Sequence, residues 1–216
     1  MLKAVIFDFD GTLVDSEYLH CVALAKSIKE NTGITIKPAQ VGLLAGMTYA
    51  EKTKRLLQDK VANYDISKIT SDAYDYFLSV ALDKIKLRTG AKRVIKMIHS
   101  LNIKIGLYSP NNKEFLRKTL QKFDLLKYFQ VIVGREDVQR PKPDPEGYLL
   151  AAKLLDVKPE ECIVFEDTPT GFQSATSAGM RTIVLYNPYL KNPSYPSVFK
   201  EIKSYKEITK EFILSL

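Results

Sequence analysis

Residues 1–16 read MLKAVIFDFDGTLVDS. Ala4 to Phe7 is a short apolar run with Val5 and Ile6 at its centre, and it stops abruptly at Asp8. A run of that length and β-branched content reads as a fully buried strand. Asp8 is followed by Phe9, Asp10 and Gly11, so two carboxylates flank an aromatic residue and then meet a glycine that permits a sharp turn with inward-facing N–H groups. Runs of the same kind recur at Ile103 to Tyr108, Val131 to Val133, Ile163 to Phe165 and Thr182 to Tyr186. Amphipathic helical patterns fall between most of them: Lys92 to Ser100, with Val94, Ile95 and Ile98 on one face, then Lys113 to Phe123, Pro145 to Leu155 and Pro169 to Ala178. Pro145 and Pro169 stand where a first helical turn tolerates a missing N–H. Strands alternating with helices imply parallel βαβ units, so the expected fold is α/β with a doubly wound, Rossmann-like parallel sheet.

One stretch breaks the alternation. From Ser16 to Lys86 the patterns are helical, punctuated by Gly33, Pro38, Gly42 and Gly46, with no convincing strand. Roughly 70 residues is too long for a simple crossover. The expected organisation is therefore a catalytic core of residues 1–15 and 87–216 with an inserted α-helical cap at 16–86. The tail, with Pro188, Pro193 and Pro196, reads as a loop ending in a short helix near Lys206 to Leu214.

Composition bounds the function. The 216 residues are 45% hydrophobic and 26% charged, which excludes a disordered chain or a disulfide scaffold. The net charge of +7 comes from lysines scattered along the chain, with no basic run interleaved with aromatics, so no nucleic-acid partner is expected. No segment approaches the roughly 18 apolar residues of a membrane span, and the N-terminal run is too short for a signal sequence. Cys21 and Cys162 have no metal or redox spacing and read as reduced, buried thiols. A soluble, cytoplasmic monomer without a membrane partner is the expectation.

In an open α/β sheet, ligands bind beyond the carboxyl ends of the strands. There this sequence places Asp8 and Asp10, Ser109, the Arg140-Pro141-Lys142-Pro143 segment, and Glu166-Asp167. Carboxylates forced together repel and need a cation. An oxygen-only donor set without Cys or His suits Mg²⁺. A cation, a lysine and a hydroxyl together trap a dianionic phosphoryl group. One carboxylate facing that group can attack phosphorus, and a second, two positions on, can protonate the leaving alcohol and later activate water.

The run from Asp8 to Ser16 resembles the first motif of the haloacid dehalogenase superfamily, in the phosphatase branch that carries Asp at the nucleophile and again two residues later. Ser109 is similar to the second motif, Lys142 in KPDPEGY to the third, and Phe165 to Gly171 to the fourth. The motifs occur in family order across nearly the whole chain. The insert resembles the helical cap of the subgroup that includes phosphoglycolate phosphatases and β-phosphoglucomutase. The resemblance implies Asp8 as nucleophile and magnesium ligand, and Asp10 as general acid/base with its backbone carbonyl on the metal. It implies Asp167 as a direct metal ligand and Glu166 as the residue that holds metal-bound water. Ser109 would hydrogen-bond the transferring phosphoryl group, and Lys142 would neutralise charge on it and on Asp8. Asp15 reads as a hinge or helix-capping residue.

Pro110 departs from the pattern, because relatives use the N–H of that residue on the phosphoryl group and proline has none. Asn111 or Asn112 is expected to supply the missing donor, or else the site has one contact fewer. In the cap, His20, Gly46 and Thr48 are candidate substrate contacts, with Met47 and Tyr49 beside them. Tyr74 and Tyr76 read as packing. The expected activity is Mg²⁺-dependent hydrolysis of a small phosphorylated metabolite, a sugar phosphate or phosphoglycolate-like monoester, through an aspartyl-phosphate. The alternative is a phosphomutase of the β-phosphoglucomutase type. That enzyme carries an arginine where this chain has Tyr49, and a lysine deeper in the cap where Tyr74 to Leu82 has none. A dehalogenase would lack Asp10, a non-catalytic binding module would not need the intact acidic set, and neither glycine-rich nucleotide-binding pattern occurs.

Overall fold

The computed structural model describes residues 1–216. Eight strands occur in chain order: β1 (Ala4–Phe7), β2 (Val14–Asp15), β3 (Lys86–Leu87), β4 (Lys104–Tyr108), β5 (Val131–Val133), β6 (Cys162–Glu166), β7 (Arg181–Leu185) and β8 (Lys200–Ile202). The α-helices are α1 (Glu17–Thr32), α2 (Pro38–Gly42), α3 (Tyr49–Leu57), α4 (Ile66–Lys84), α5 (Ala91–Ser100), α6 (Lys113–Lys122), α7 (Glu146–Leu154), α8 (Pro169–Ser177) and α9 (Lys210–Leu214). Two compact units result. One comprises Met1–Val14, Leu87–Asn187 and Pro193–Leu216, and the other comprises Asp15–Lys86 with Pro188–Asn192.

The first unit is built on a six-stranded sheet in the order β5-β4-β1-β6-β7-β8, and its strand pairs are parallel. β1 is buried along its whole length, as its apolar run requires of a central parallel strand. Register brings the acidic residues together. Phe7 is paired with Leu107 on one side and with Phe165 on the other, so Asp8 leaves the sheet level with Tyr108 and Glu166. The chain winds outward from β1 through β4 to β5 in one direction and from β6 to β8 in the other. The switch in strand order between β1 and β6 opens a crevice at their carboxyl ends. Beneath it Phe7 stacks on Phe165 with ring centroids 5.0 Å apart, and Tyr205 packs against both. Val94, Ile95 and Ile98 of α5 are buried, as their spacing indicates.

The tail departs from its sequence reading. Lys200–Ile202 adds an edge strand, β8, beside β7 where a loop is expected. Only Ile202 of its three residues is buried, and so polar an edge strand carries no hydrophobic run to announce it. The helix expected from Lys206 to Leu214 is split into a 3-10 turn at Tyr205–Glu207 and α9, because Thr209 caps a new helix by accepting the Phe212 N–H at 3.2 Å.

The second unit is a helical bundle. α1 packs on α2, α3 and α4 around Leu24, Ile28, Val41, Leu57, Ile69 and Ala73. Asp65 caps α4 by accepting the Lys68 N–H, and Thr48 with Glu51 forms a capping box on α3. Residues 188–192 belong to this unit, where Tyr189 lies against Gly42. Cys21 and Cys162 are both buried, unpaired thiols. No helix is long and apolar enough to cross a membrane.

Candidate active site

Asp8 leaves β1 with its N–H on the Phe165 carbonyl and its side chain buried. Lys142, from the loop before α7, reaches it. The Lys142 ammonium lies 2.5 Å from Asp8 Oδ1 and 2.6 Å from Glu166 Oε1, and its side chain is 8% exposed. The same ammonium sits 5.0 Å from the ring centroids of both Tyr108 and Tyr148, within cation–π range of each.

Glu166 anchors this arrangement. Its Oε1 accepts Lys142 and the Tyr148 hydroxyl, and its Oε2 accepts the N–H groups of Asp167 and Thr168 and the Thr168 hydroxyl. The carboxylate can lie there because residue 171 is glycine: a Cβ at Gly171 would stand 1.5 Å from Glu166 Oε1. Asp167, the next residue, is held from other directions. The Thr12 hydroxyl donates to its Oδ1 at 3.1 Å, the Asn187 amide to its Oδ2 at 2.7 Å, and the Tyr195 hydroxyl to its carbonyl at 3.0 Å. Gly11 has φ +74, and a Cβ there would lie 2.0 Å from Asp167 Oδ2, so the turn after Asp10 needs glycine for both reasons.

Carboxylate oxygens of Asp8, Glu166 and Asp167 lie within 4.8 Å of one another, and all three residues are buried. Burial drives the Asp8 carboxyl up from 3.8 to about 7, against the pull of Lys142. Burial, and then the charges of Glu166 and Asp8, hold Asp167 well above the usual carboxylate range. For Lys142, burial works against the charged form, yet Asp8 and Glu166 keep its ammonium well above its ordinary value. One lysine thus faces three desolvated carboxylates. Surplus negative charge on an oxygen-only donor set is the environment of a hard divalent cation, and these residues fit one.

On the β4 side, Ser109 is fully buried, and its Oγ accepts the Asn111 N–H at 3.2 Å. The Asn111 side-chain amide donates to Asp10 Oδ2. Asn112 turns elsewhere: its Oδ1 accepts the Phe115 N–H and caps α6, and its amide donates to Glu136 at 2.5 Å. Of the two candidates for the donor that Pro110 cannot provide, Asn111 is thus the one whose side chain reaches Asp10. Its own N–H is directed to Ser109.

The other candidates lie in the helical unit. His20 Nδ1 is 2.6 Å from the Tyr49 hydroxyl, and its ring stacks on Phe77 at 3.8 Å between centroids. Gly46 and Thr48 are exposed in the segment before α3, where the Thr48 hydroxyl donates to Glu51 and accepts the Glu51 N–H. Nearby, Lys52 is 4% exposed and pairs with Glu17 at 3.1 Å.

Residues 5–185 match the family described as haloacid dehalogenase-like hydrolase. The chain belongs to that family. This hydrolase is 31% identical over 185 residues to a phosphorylated carbohydrates phosphatase of Thermotoga maritima, covering 84% of each chain. It is 31% identical over 186 residues to a β-phosphoglucomutase of Bacillus subtilis, covering 83% of this chain and 81% of that one. Among solved structures, a haloacid dehalogenase hydrolase of Entamoeba histolytica superposes with a TM-score of 0.85 at 27% identity, over 99% of this chain and 98% of that one. Such relatives place the hydrolase in the phosphatase branch of its family. Its motif residues Asp8, Asp10, Ser109, Lys142, Glu166 and Asp167 converge on one sheet edge. Motif reading misses the groups that hold them, namely Thr12, Tyr108, Tyr148, Gly171, Asn187 and Tyr195. Thr12, Tyr148 and Gly171 lie inside motifs and were within reach of it. Asn187 and Tyr195 stand 20 and 28 residues beyond Asp167, and no local pattern ties them to it.

Proposed function

We propose that this protein is a Mg²⁺-dependent phosphatase that hydrolyses a small phosphorylated metabolite through an aspartyl-phosphate on Asp8. The observation that carries the reading is the Asp8–Lys142–Glu166 arrangement. A buried carboxylate at the end of the central strand is gripped at Oδ1 by an ammonium 2.5 Å away. That ammonium is itself fixed by Glu166, so a positive charge waits beside the attacking group without reorganisation.

Asp8 and Asp167, with the main-chain carbonyl of Asp10, would hold the cation, and Glu166 would stand behind them. When bound, Mg²⁺ supplies positive charge to the phosphoryl oxygens and balances the acidic cluster. In the first step an Asp8 oxygen forms a bond to phosphorus as the bond to the substrate alcohol breaks, and Asp10 gives its proton to the departing oxygen. In the second, water attacks phosphorus, Asp10 takes the proton, and Asp8 leaves as carboxylate with release of inorganic phosphate. Lys142 neutralises charge on Asp8 and the phosphoryl group throughout, and the Ser109 hydroxyl donates to a phosphoryl oxygen. Substrate choice is assigned to the helical unit, with His20, Gly46 and Thr48 as its contacts. Two buried, unpaired thiols suit a reducing compartment, the cytoplasm.

The mutase relative makes phosphomutase activity the second reading. Hydrolysis is favoured because a mutase must grip a second phosphate. Tyr49 here stands in place of an arginine with its hydroxyl on His20, and Lys52 is buried against Glu17.

The test is release of inorganic phosphate from a panel of phosphorylated metabolites with and without Mg²⁺. Wild-type protein is expected to release phosphate only with the metal, and Asp8→Asn is expected to lose at least about 1,000-fold in kcat. Turnover by Asp8→Asn within tenfold of wild type, or full activity after chelation, refutes the mechanism. Interconversion of sugar 1- and 6-phosphates without net phosphate release establishes the mutase instead.

A further inference from the structure

The phosphatase reading names Asp10 as the acid that protonates the leaving group but does not say what aims its carboxylate. We propose that Asn111 is the positioning residue for Asp10, and that it selects Oδ1 as the oxygen from which the proton is handed over. The inference rests on the acid/base role given to Asp10 above.

The Asn111 amide donates to Asp10 Oδ2, the arrangement that an ionised carboxylate, which only accepts, requires. Asn111 is 5% exposed, so little water competes for this bond. Its backbone is tied down on both sides. The N–H donates to Ser109 Oγ at 3.2 Å, and the carbonyl accepts the Arg135 N–H at 2.9 Å. The Pro110 carbonyl before it accepts Arg135 Nε at 3.0 Å, and Asn112 after it is committed to capping α6. The side chain of Asn111 therefore projects from a segment whose neighbours are fixed, as a positioning group must.

The chemistry follows from the acceptor. In the protonated acid one oxygen carries hydrogen and the other is a carbonyl-type acceptor. Donation from Asn111 to Oδ2 stabilises the form in which Oδ2 is the acceptor and Oδ1 carries the proton. The carboxyl enters the first step already turned, and when it takes a proton from water in the second step it is in the same orientation. Ser109 benefits from the same residue. With the Asn111 N–H filling one lone pair of Ser109 Oγ, the hydroxyl hydrogen is directed away, to donate to a phosphoryl oxygen. Asn111 thus links the acid of the first motif to the hydroxyl of the second, at the position that follows the proline.

A mispositioned acid matters most when the leaving group is poor. The assay compares kcat/KM for an alkyl phosphate, whose alkoxide needs a proton, with that for p-nitrophenyl phosphate, whose phenolate leaves without one. Asn111→Ala, and the isosteric Asn111→Asp that lacks the donor, are expected to lose about 30- to 100-fold on the alkyl ester, a part of the roughly 100- to 10,000-fold that general acid catalysis supplies. The loss on the aryl ester should be at least tenfold smaller. Asp10→Ala, measured alongside, should show the same discrimination more strongly. Equal losses on both esters in the Asn111 variants, while Asp10→Ala discriminates, overturn the positioning role and leave the phosphatase reading standing. No discrimination in Asp10→Ala overturns the acid assignment, and the inference falls with it. Thermal melting of each variant shows that a folded protein is being compared, and a merely structural role predicts losses that ignore the leaving group.

Discussion

Replacing Gly171 with alanine tests the packing that holds the lysine in place. The new Cβ would stand 1.5 Å from Glu166 Oε1 and 2.0 Å from its Cδ. Non-bonded carbon and oxygen need about 3 Å even in the tightest contacts, so the carboxylate must retreat by about 1.5 Å. The backbone offers little alternative, because the Gly171 N–H is bound to the Thr168 hydroxyl in the first turn of α8. A retreat of that size stretches the 2.6 Å Lys142 contact to about 4 Å and pulls Oε1 away from the Tyr148 hydroxyl at 3.2 Å. Disrupting a buried ion pair costs about 3–5 kcal/mol, and the better helix propensity of alanine returns about 1 kcal/mol. The expected net destabilisation is about 2–4 kcal/mol. For a chain of this size that is a fall in Tm of about 4–16 °C, read by circular dichroism. A displaced Lys142 should also lower kcat about 100-fold, the usual effect of removing one charge-stabilising donor. If Gly171→Ala melts within 2 °C of wild type and keeps its kcat, Glu166 does not anchor Lys142 and the argument is wrong.

The acidic cluster makes a prediction about pH. The folded carboxyl of Asp8 stands at about 7, against 3.8 when unfolded, so the folded state holds its proton more tightly. Metal-free protein should therefore lose stability as pH rises from about 4 to 7, by up to about 4 kcal/mol at about 1.4 kcal/mol per pH unit, and lose no more from this group above that. Because Mg²⁺ competes with that proton, it should raise Tm more at pH 7.5 than at pH 5, and an equal shift at both would refute the charge argument. Asn187→Ala removes the 2.7 Å bond to Asp167 Oδ2 and should weaken Mg²⁺ binding about tenfold or more. Calorimetric titration of the metal alone reads that change, and unaltered affinity would show that Asn187 does not orient the ligand.

Much of the molecule was legible in the chain itself. Five strands of the sheet are buried apolar runs whose side chains leave no other use for them, and the alternation with helices implies parallel order. The carboxylates at Asp8, Asp10 and Asp167 are conspicuous because each ends or follows such a run, where an isolated charge would otherwise be costly. Helix boundaries were legible where a proline marks them, as at Pro169. β8 was not, because an edge strand with one buried residue carries almost no hydrophobic signal.

The sequence alone placed at the strand ends the groups proposed to react: a carboxylate as nucleophile, a second acid two residues on, a hydroxyl, a lysine and further acids. Only the tertiary structure decided what holds them. Lys142 is shared between Asp8 and Glu166, Asn187 and Thr12 grip Asp167 from opposite oxygens, and Asn111 takes one oxygen of Asp10. Local pattern reports periodicity and turn chemistry within a few residues. These partners lie from 20 to 155 positions apart along the chain, and parallel register, not sequence proximity, brings them within hydrogen-bonding distance.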